Sequence, residues 1–152
     1  MVKEGEKAPD FELLSYKGER FKLSSMLGRP VVLFFYPKDD TPGCTRENCL
    51  IRDNLEEFEK RRAVVVGISV DDVGSHIRFA EKYRLTHLLL SDTGGVVSKK
   101  YGALGFSGRS QRKTFVIDED GVIRKIITGA MPGKHVRESL RALDELERTP
   151  TH

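Results

Sequence analysis

An uninterrupted apolar run, Val31-Val32-Leu33-Phe34-Phe35-Tyr36, ends on Pro37, and both cysteines of the chain follow in the stretch Pro37-Lys38-Asp39-Asp40-Thr41-Pro42-Gly43-Cys44-Thr45-Arg46-Glu47-Asn48-Cys49. β-branched and aromatic side chains with no polar interruption describe a strand buried on both faces, so the fold must cover a sheet on two sides. Thr41 has the chemistry of a helix N-cap, and Pro42 suits the first helical position, where a missing N–H is no loss. Gly43 follows, and Cys44 falls in the first helical turn. Unpaired backbone N–H groups and the positive end of the helix dipole favour a thiolate over a thiol there.

Counted from the cap, Cys44, Asn48, Ile51, Leu55 and Phe58 recur at the spacing of one helix face, which turns Cys44 toward the sheet. Cys49 instead joins Arg52 and Glu56 on a polar face. Five residues of helix separate the two α-carbons by roughly 8.6 Å, with side chains about 140° apart. A disulfide needs α-carbons at about 4.4 to 6.8 Å, so an intact helix cannot bridge them. Either the two never pair, or the first turns unwind. The bland alternatives are a buried inert Cys44 and an incidental Cys49.

The rest of the chain supplies a framework. Phe11 to Leu14 and Phe21 to Leu23 read as a hairpin around Ser15 to Arg20, and Ser24 or Ser25 is expected to cap a helical turn before Gly28. Val64 to Val70 is a second buried strand, which makes a parallel βαβ unit with its predecessor. Asp71-Asp72 introduces a helix over Gly74 to Tyr83 with Ile77, Ala80 and Tyr83 or Arg84 on its face. Leu88 to Leu90 is a third strand candidate. Asp92 is expected to cap a short helix through Tyr101 that Gly102 stops, and Gly102 to Gln111 reads as a mobile loop. Thr114 to Ile117 and Val122 to Thr128 flank Asp118-Glu119-Asp120-Gly121, a strong hairpin signal. Val136, Leu140 and Leu143 mark a last amphipathic helix ending near Glu147, before a frayed tail from Thr149 to His152. This order predicts an α/β protein with a thioredoxin-like fold and an added N-terminal β-hairpin, its central mixed sheet flanked by helices. Residues 1–152 are expected to form a single domain.

The net charge is +3. Basic clusters at Arg61-Arg62, Lys99-Lys100 and Arg109 to Lys113 are interspersed with acidic residues and lack an aromatic ladder, so no nucleic-acid partner is expected. No apolar stretch approaches the roughly 18 residues a membrane span needs, and the opening Met-Val-Lys-Glu-Gly-Glu-Lys lacks a signal-peptide core. A cytoplasmic protein without a membrane partner is therefore expected. Two cysteines in a reducing compartment are seldom a staple and are too few for a four-ligand zinc site. His76 and His87 show no partner in the sequence and read as surface or packing residues. Asp118 to Gly121 lacks the remaining ligands of a calcium loop, and Gly129 to Lys134 lacks the glycine spacing of a phosphate loop.

The pattern Pro-x-x-x-Thr-x-x-Cys, met by Pro37, Thr41 and Cys44, resembles the active-site signature of the peroxiredoxins, and a second cysteine five positions on resembles their bacterioferritin-comigratory, or Q-type, branch. The likeness runs from about residue 8 to residue 147. It implies a thiol-dependent peroxidase of the atypical two-cysteine type acting on hydrogen peroxide and organic hydroperoxides. Cys44 is then the peroxidatic cysteine and Cys49 the resolving one, joined in an intramolecular disulfide that thioredoxin or a similar dithiol reduces. The resemblance further implies that Thr41, Arg112 and the backbone N–H groups of Gly43 and Cys44 hold the peroxide. Pro37 then shields the pocket from water, and Glu47, otherwise a solvated helix charge, orients the arginine. Arg112 fits the Arg-x-Thr-Phe pattern at the head of a strand, although Arg109 or Arg46 could be confused with it. No metal or organic cofactor is implied, and a monomer is the default state, with a weak homodimer as its alternative.

Two other classes use the same cysteines. A thiol-disulfide oxidoreductase normally carries Cys-x-x-Cys at the helix start, which the longer gap here argues against. A redox sensor or holdase would turn cysteine oxidation into an exposed partner surface.

Overall fold

The computed structural model describes residues 2–148. Its strands are β1 (Glu12–Ser15), β2 (Arg20–Lys22), β3 (Val31–Phe35), β4 (Val64–Ser69), β5 (Leu88–Ser91), β6 (Lys113–Ile117) and β7 (Ile123–Thr128). The helices are α1 (Pro42–Asp53), α2 (Leu55–Lys60), α3 (Val73–Tyr83), α4 (Val96–Lys100) and α5 (Pro132–Arg148). All seven strands share one mixed sheet in the order β2-β1-β5-β4-β3-β6-β7.

β3 lies inside this sheet, parallel to β4 and antiparallel to β6. Its alternate residues feed two cores. Val31, Leu33 and Phe35 pack with Val66, Ile68, Phe115 and Ile117, whereas Val32 and Phe34 pack with Ile51, Phe58, Val136 and Leu143. Helices therefore cover both faces, which is why the run needs no polar residue. Phe35, the last residue of β3, pairs with Lys113, the first of β6. That register sets Arg112 beside the exit of β3, where the chain turns into α1.

The N-terminal hairpin forms as expected and docks on the sheet through antiparallel pairing of β1 with β5. Leu23, read as strand, instead opens a 3-10 turn over Leu23–Met26, and no serine caps it. The Asp10 carboxylate accepts the Ser24 N–H at 2.9 Å. The helix after β3 is broken at Asn54, whose φ of −107° and ψ of 9° leave the helical region. The Asn54 side chain donates to Leu50 O, closing α1, and α2 sets off separately to place Phe58 edge-on against Phe34.

α3 buries His76, Phe79 and Ala80, and Ile77 is exposed. The expected face was thus rotated by one residue, because the histidine fills the place assigned to an aliphatic side chain. Asp72 caps α3 through the Ser75 N–H at 2.8 Å. Asp92 caps α4 from three residues before its N-cap Gly95, accepting the N–H groups of Val97 and Ser98. Gly102, with φ of 68°, stops it as expected. The loop expected to be mobile is tied by Gly105 N–H to Arg109 O and Gln111 N–H to Ala103 O. Asp118 accepts the N–H groups of Asp120 and Val122 in the β6–β7 turn. The tail from Thr149 to His152 lies outside the described residues.

Candidate active site

Pro42 leaves the first turn of α1 with few backbone donors to satisfy, and Thr45 N–H makes the first helical bond, to Thr41 O at 2.8 Å. The N–H groups of Gly43 and Cys44 have no partner among the described residues. They form a pair of unpaired donors at the positive end of the helix. Thr41 occupies the N-cap in extended conformation, but its side chain makes no capping bond. Its hydroxyl donates to Lys38 O at 2.8 Å instead. The side-chain part of the expected cap is thereby corrected, because the carbonyl of the preceding loop lies closer to hand.

Cys44 is 1% exposed, on the sheet side of α1, among Tyr36, Phe79, Ala80, Leu85 and Leu89. One charged group reaches it. Arg112 donates from Nη2 to Sγ at 3.3 Å, and from Nη1 to Oε1 of Glu47. Arg46 and Arg109 are exposed, so the arginine at this sulfur is Arg112. Gly43 makes the approach possible: a Cβ there would stand 3.0 Å from Nη2 of Arg112.

Glu47 is fully buried, which corrects its reading as a solvated helix charge. Three residues after Cys44, it shares the buried face with Asn48 and Ile51. Its Oε2 is buried without a partner among the described residues. Burial pushes its carboxyl up to about 7, against the opposing pull of Arg112. The pair is charge-assisted and aims the guanidinium by one edge, leaving the other for the sulfur.

Arg112 also lines an open cavity of about 490 Å³, together with Pro37, Arg109, Ser110, Gln111 and Gly129. Pro37 and Arg112 thus share the entrance. His135 ties α5 to β6 and to the cavity-lining Gly129: its Nε2 donates to Gly129 O at 2.8 Å, and its Nδ1 accepts from the Thr114 hydroxyl at 2.7 Å. The structure therefore brings Cys44, Glu47, Gly43 and Arg112 together, with Pro37 at the rim and Thr41 at the cap. Cys49 is half-buried elsewhere on α1, and both cysteines are free.

Two polar clusters not anticipated from the sequence settle the histidine readings: His76 and His87 are packing and not surface residues, and each has a hydrogen-bond partner. His76 is fully buried, with Nδ1 2.7 Å from Asp39 Oδ2 and Nε2 3.0 Å from Leu90 O. Because a carbonyl only accepts, Nε2 carries a hydrogen, and the contact at Nδ1 needs a further proton on the ring or on Asp39. Asp39, Asp71 and His76 lie close enough to hold a metal ion. Tyr36, Ser69, Ser75 and the Asp39 N–H already engage these carboxylates, so hydrogen bonding accounts for the cluster. His87 is also buried and bonds Asn48. The aspartates beside a strand end were the available signal for the first cluster, and Asn48 on the buried stripe was that for the second.

Residues 4–126 match the AhpC/TSA family. The chain is 44% identical over 148 residues to a chloroplastic peroxiredoxin Q of Oryza sativa subsp. japonica, covering 95% of this chain and 68% of that protein. It is 46% identical over 145 residues to its counterpart in Arabidopsis thaliana, covering 93% and 67%. Among solved structures, the peroxidoxin BcpB from Mycobacterium tuberculosis superimposes with a TM-score of 0.90 at 40% identity, covering 96% of this chain and 99% of that one. A bacterioferritin comigratory protein of Xanthomonas campestris, described for its alkyl peroxide reduction activity, gives a TM-score of 0.83 at 28% identity over 89% of this chain and 90% of that one.

Proposed function

This chain belongs to the AhpC/TSA family and is a peroxiredoxin of the Q type, a thiol-dependent peroxidase; from that premise we propose which of its residues carry each step. Cys44 is the peroxidatic cysteine. Its thiolate attacks one peroxide oxygen, the O–O bond breaks, and the other oxygen leaves as water or an alcohol after taking a proton. The sulfur becomes a sulfenic acid. The observation that carries this assignment is the 3.3 Å contact from Arg112 to Sγ on a buried thiol at a helix start.

The guanidinium faces charge that passes from sulfur to the departing oxygen, where a fixed donor is most effective. Glu47 holds that guanidinium in place. The unpaired N–H groups of Gly43 and Cys44 receive peroxide oxygen, and the Thr41 hydroxyl, having given its hydrogen to Lys38 O, has lone pairs to accept the peroxide O–H. Pro37 limits the access of water at the rim.

Cys49 is the resolving cysteine in this reading. Its thiolate displaces the sulfenic oxygen as water and forms the Cys44–Cys49 disulfide, so two thiols supply the two electrons that one peroxide takes. An intact helix cannot supply that geometry, so α1 must unwind first. The family's chemistry calls for a thiol reductant, and we assign that role to thioredoxin or a similar dithiol protein. A cytoplasmic location suits a disulfide that must be reduced at every turnover. A single domain and a monomer complete the proposal, to be checked by cooperative unfolding and by mass in solution.

Intact mass after mixing reduced protein with one equivalent of hydrogen peroxide tests the cycle. Rapid loss of two hydrogens is expected. Oxygen addition that stalls would remove Cys49 from its role. Reaction no faster than free cysteine would overturn the assignment of Cys44.

A further inference from the structure

The segment that must unwind is fastened to the sheet by a polar pair. Asn48 lies between the two cysteines on the buried face of α1. Its Nδ2 donates to Cys44 O at 2.9 Å, reinforcing the helical turn that holds Cys44. Since that carbonyl can only accept, Oδ1 of Asn48 is the atom that faces His87, 2.9 Å away, and Nε2 of His87 must be the donor. Nδ1 of His87 then presents a lone pair, buried and without a partner among the described residues. His87 stands one residue before β5 and is rooted in the sheet. Gly67 on β4 leaves the room for this contact, because a Cβ there would come within 3.3 Å of Asn48 Oδ1.

We propose that the Asn48–His87 pair is a latch on the peroxidatic helix, and that its release governs the unwinding that lets Cys49 reach oxidised Cys44. The proposal rests on Cys49 as the resolving cysteine. Bringing Cys49 to Cys44 breaks the turn that closes on Cys44 O and so withdraws Asn48 from His87. The two are positioning residues: neither touches the peroxide.

Release also has a proton attached to it. In the latched state, burial holds the imidazole down at about 3, with Lys17 and Arg52 adding to the effect. Lys17 reaches the carbonyl of the neighbouring Thr86 from the β1–β2 turn, Arg52 of α1 reaches that of Tyr83, and the Tyr16 hydroxyl donates to Leu85 O. No carboxylate among the described residues bonds the ring. Once released and wetted, the ring returns toward its ordinary value near 6.5. The released state therefore binds more protons between about pH 3 and 6.5, and the latch weakens as pH falls through that window. Glu47, on the same helix, titrates in the opposite sense, losing its raised value when α1 unwinds. A comparison with a protein altered only at His87 cancels that contribution.

Hydrogen exchange at the amides of residues 44–50 in the reduced protein, compared with His87→Phe, tests the latch without any use of Cys49. At pH 8 the native protein should be protected about tenfold more than the variant, as the loss of one hydrogen bond that leaves Oδ1 of Asn48 buried without a partner implies. That advantage should vanish by about pH 5, since it shrinks by up to roughly tenfold per pH unit below 6.5. A ring that only fills space would give a ratio constant with pH. In quenched-flow mass measurements at pH 8, both His87→Phe and Asn48→Ala should form the disulfide about tenfold faster, while sulfenic acid formation changes less than about twofold. Unchanged disulfide rates in both variants, or a protection ratio equal at pH 8 and pH 5, would overturn the latch. Should His87→Phe not fold, Asn48→Ala carries the same rate and exchange tests at pH 8. Absence of any disulfide in the native protein would overturn the reading of Cys49 instead, and exchange would still decide the latch.

Discussion

Nη2 of Arg112 lies 3.3 Å from Sγ of Cys44, although 68 positions separate the two residues in the chain. The β3–β6 register creates this contact, by setting the residue before β6 next to the exit of β3. The other edge of the same guanidinium is taken by Glu47. A lysine ammonium cannot span both partners. Arg112→Lys should therefore lower the second-order rate of Cys44 oxidation by about a hundredfold, as expected for loss of one aimed donor at developing charge. Stopped-flow oxidation by hydrogen peroxide at pH 7 reads this directly, and a loss under about threefold would place the transition-state donor elsewhere.

Gly43 offers a case in which stability and activity separate. Its φ is not positive, so an alanine meets no backbone strain, and the substitution should be neutral or stabilising by about 0.5 kcal/mol. The added Cβ, however, would press on Nη2 of Arg112 at 3.0 Å. Relief requires Nη2 to shift off the sulfur while Glu47 keeps the other edge of the guanidinium. Gly43→Ala is expected to unfold at the same or slightly higher denaturant concentration while oxidising about tenfold more slowly, since small misplacement of an aimed group is costly.

Glu47 gives the reduced protein a distinctive pH dependence. Its carboxyl is raised to about 7 in the fold from an ordinary 4.5. A folded value above the unfolded one contributes stability that is present in full below pH 4.5 and is lost as pH rises through 7. Glu47→Gln cannot ionise, so the variant should lose less stability than the native protein between pH 5 and pH 8. The difference should be on the order of 2 kcal/mol. Urea unfolding at the two pH values measures it. Activity should fall at the same time, because a neutral amide holds Arg112 less firmly.

The legible parts of the fold and site were those carried by neighbouring residues. The apolar run, Pro37, the Thr41-Pro42-Gly43 start and the Asp118 to Gly121 turn each follow from local backbone chemistry, and all appear where expected. Arg112 was legible only through a family pattern, since register across a sheet leaves no local trace. The break at Asn54 was hidden because the apolar spacing runs on across it from Ile51 to Leu55 and Phe58. The burial of His76 in place of Ile77 on α3 was hidden because its partner, Asp39, lies 37 positions away. A charged or polar residue reads as solvated until its partner is known, and for Glu47, His76 and His87 that partner comes from a distant part of the chain.

Gly67 tests how closely α1 seats on the sheet. It pairs in β4 opposite Phe34, and a Cβ built there would stand 2.9 Å from Cδ2 of Leu89, 3.1 Å from Cε1 of Tyr36 and 3.3 Å from Oδ1 of Asn48. Three neighbours from separate parts of the chain converge on one missing side chain, and all three are fully buried. They have little room to yield. Gly67→Ala should therefore destabilise the reduced protein by about 1 to 3 kcal/mol, the usual cost of overpacking a tight core, in spite of the better strand-forming residue. Because Asn48 is one of the atoms displaced, the variant should also exchange the amides of residues 44–50 faster than its global loss of stability explains. Equal loss of protection in α1 and in β3 would show instead that the glycine serves the core as a whole and has no particular hold on α1.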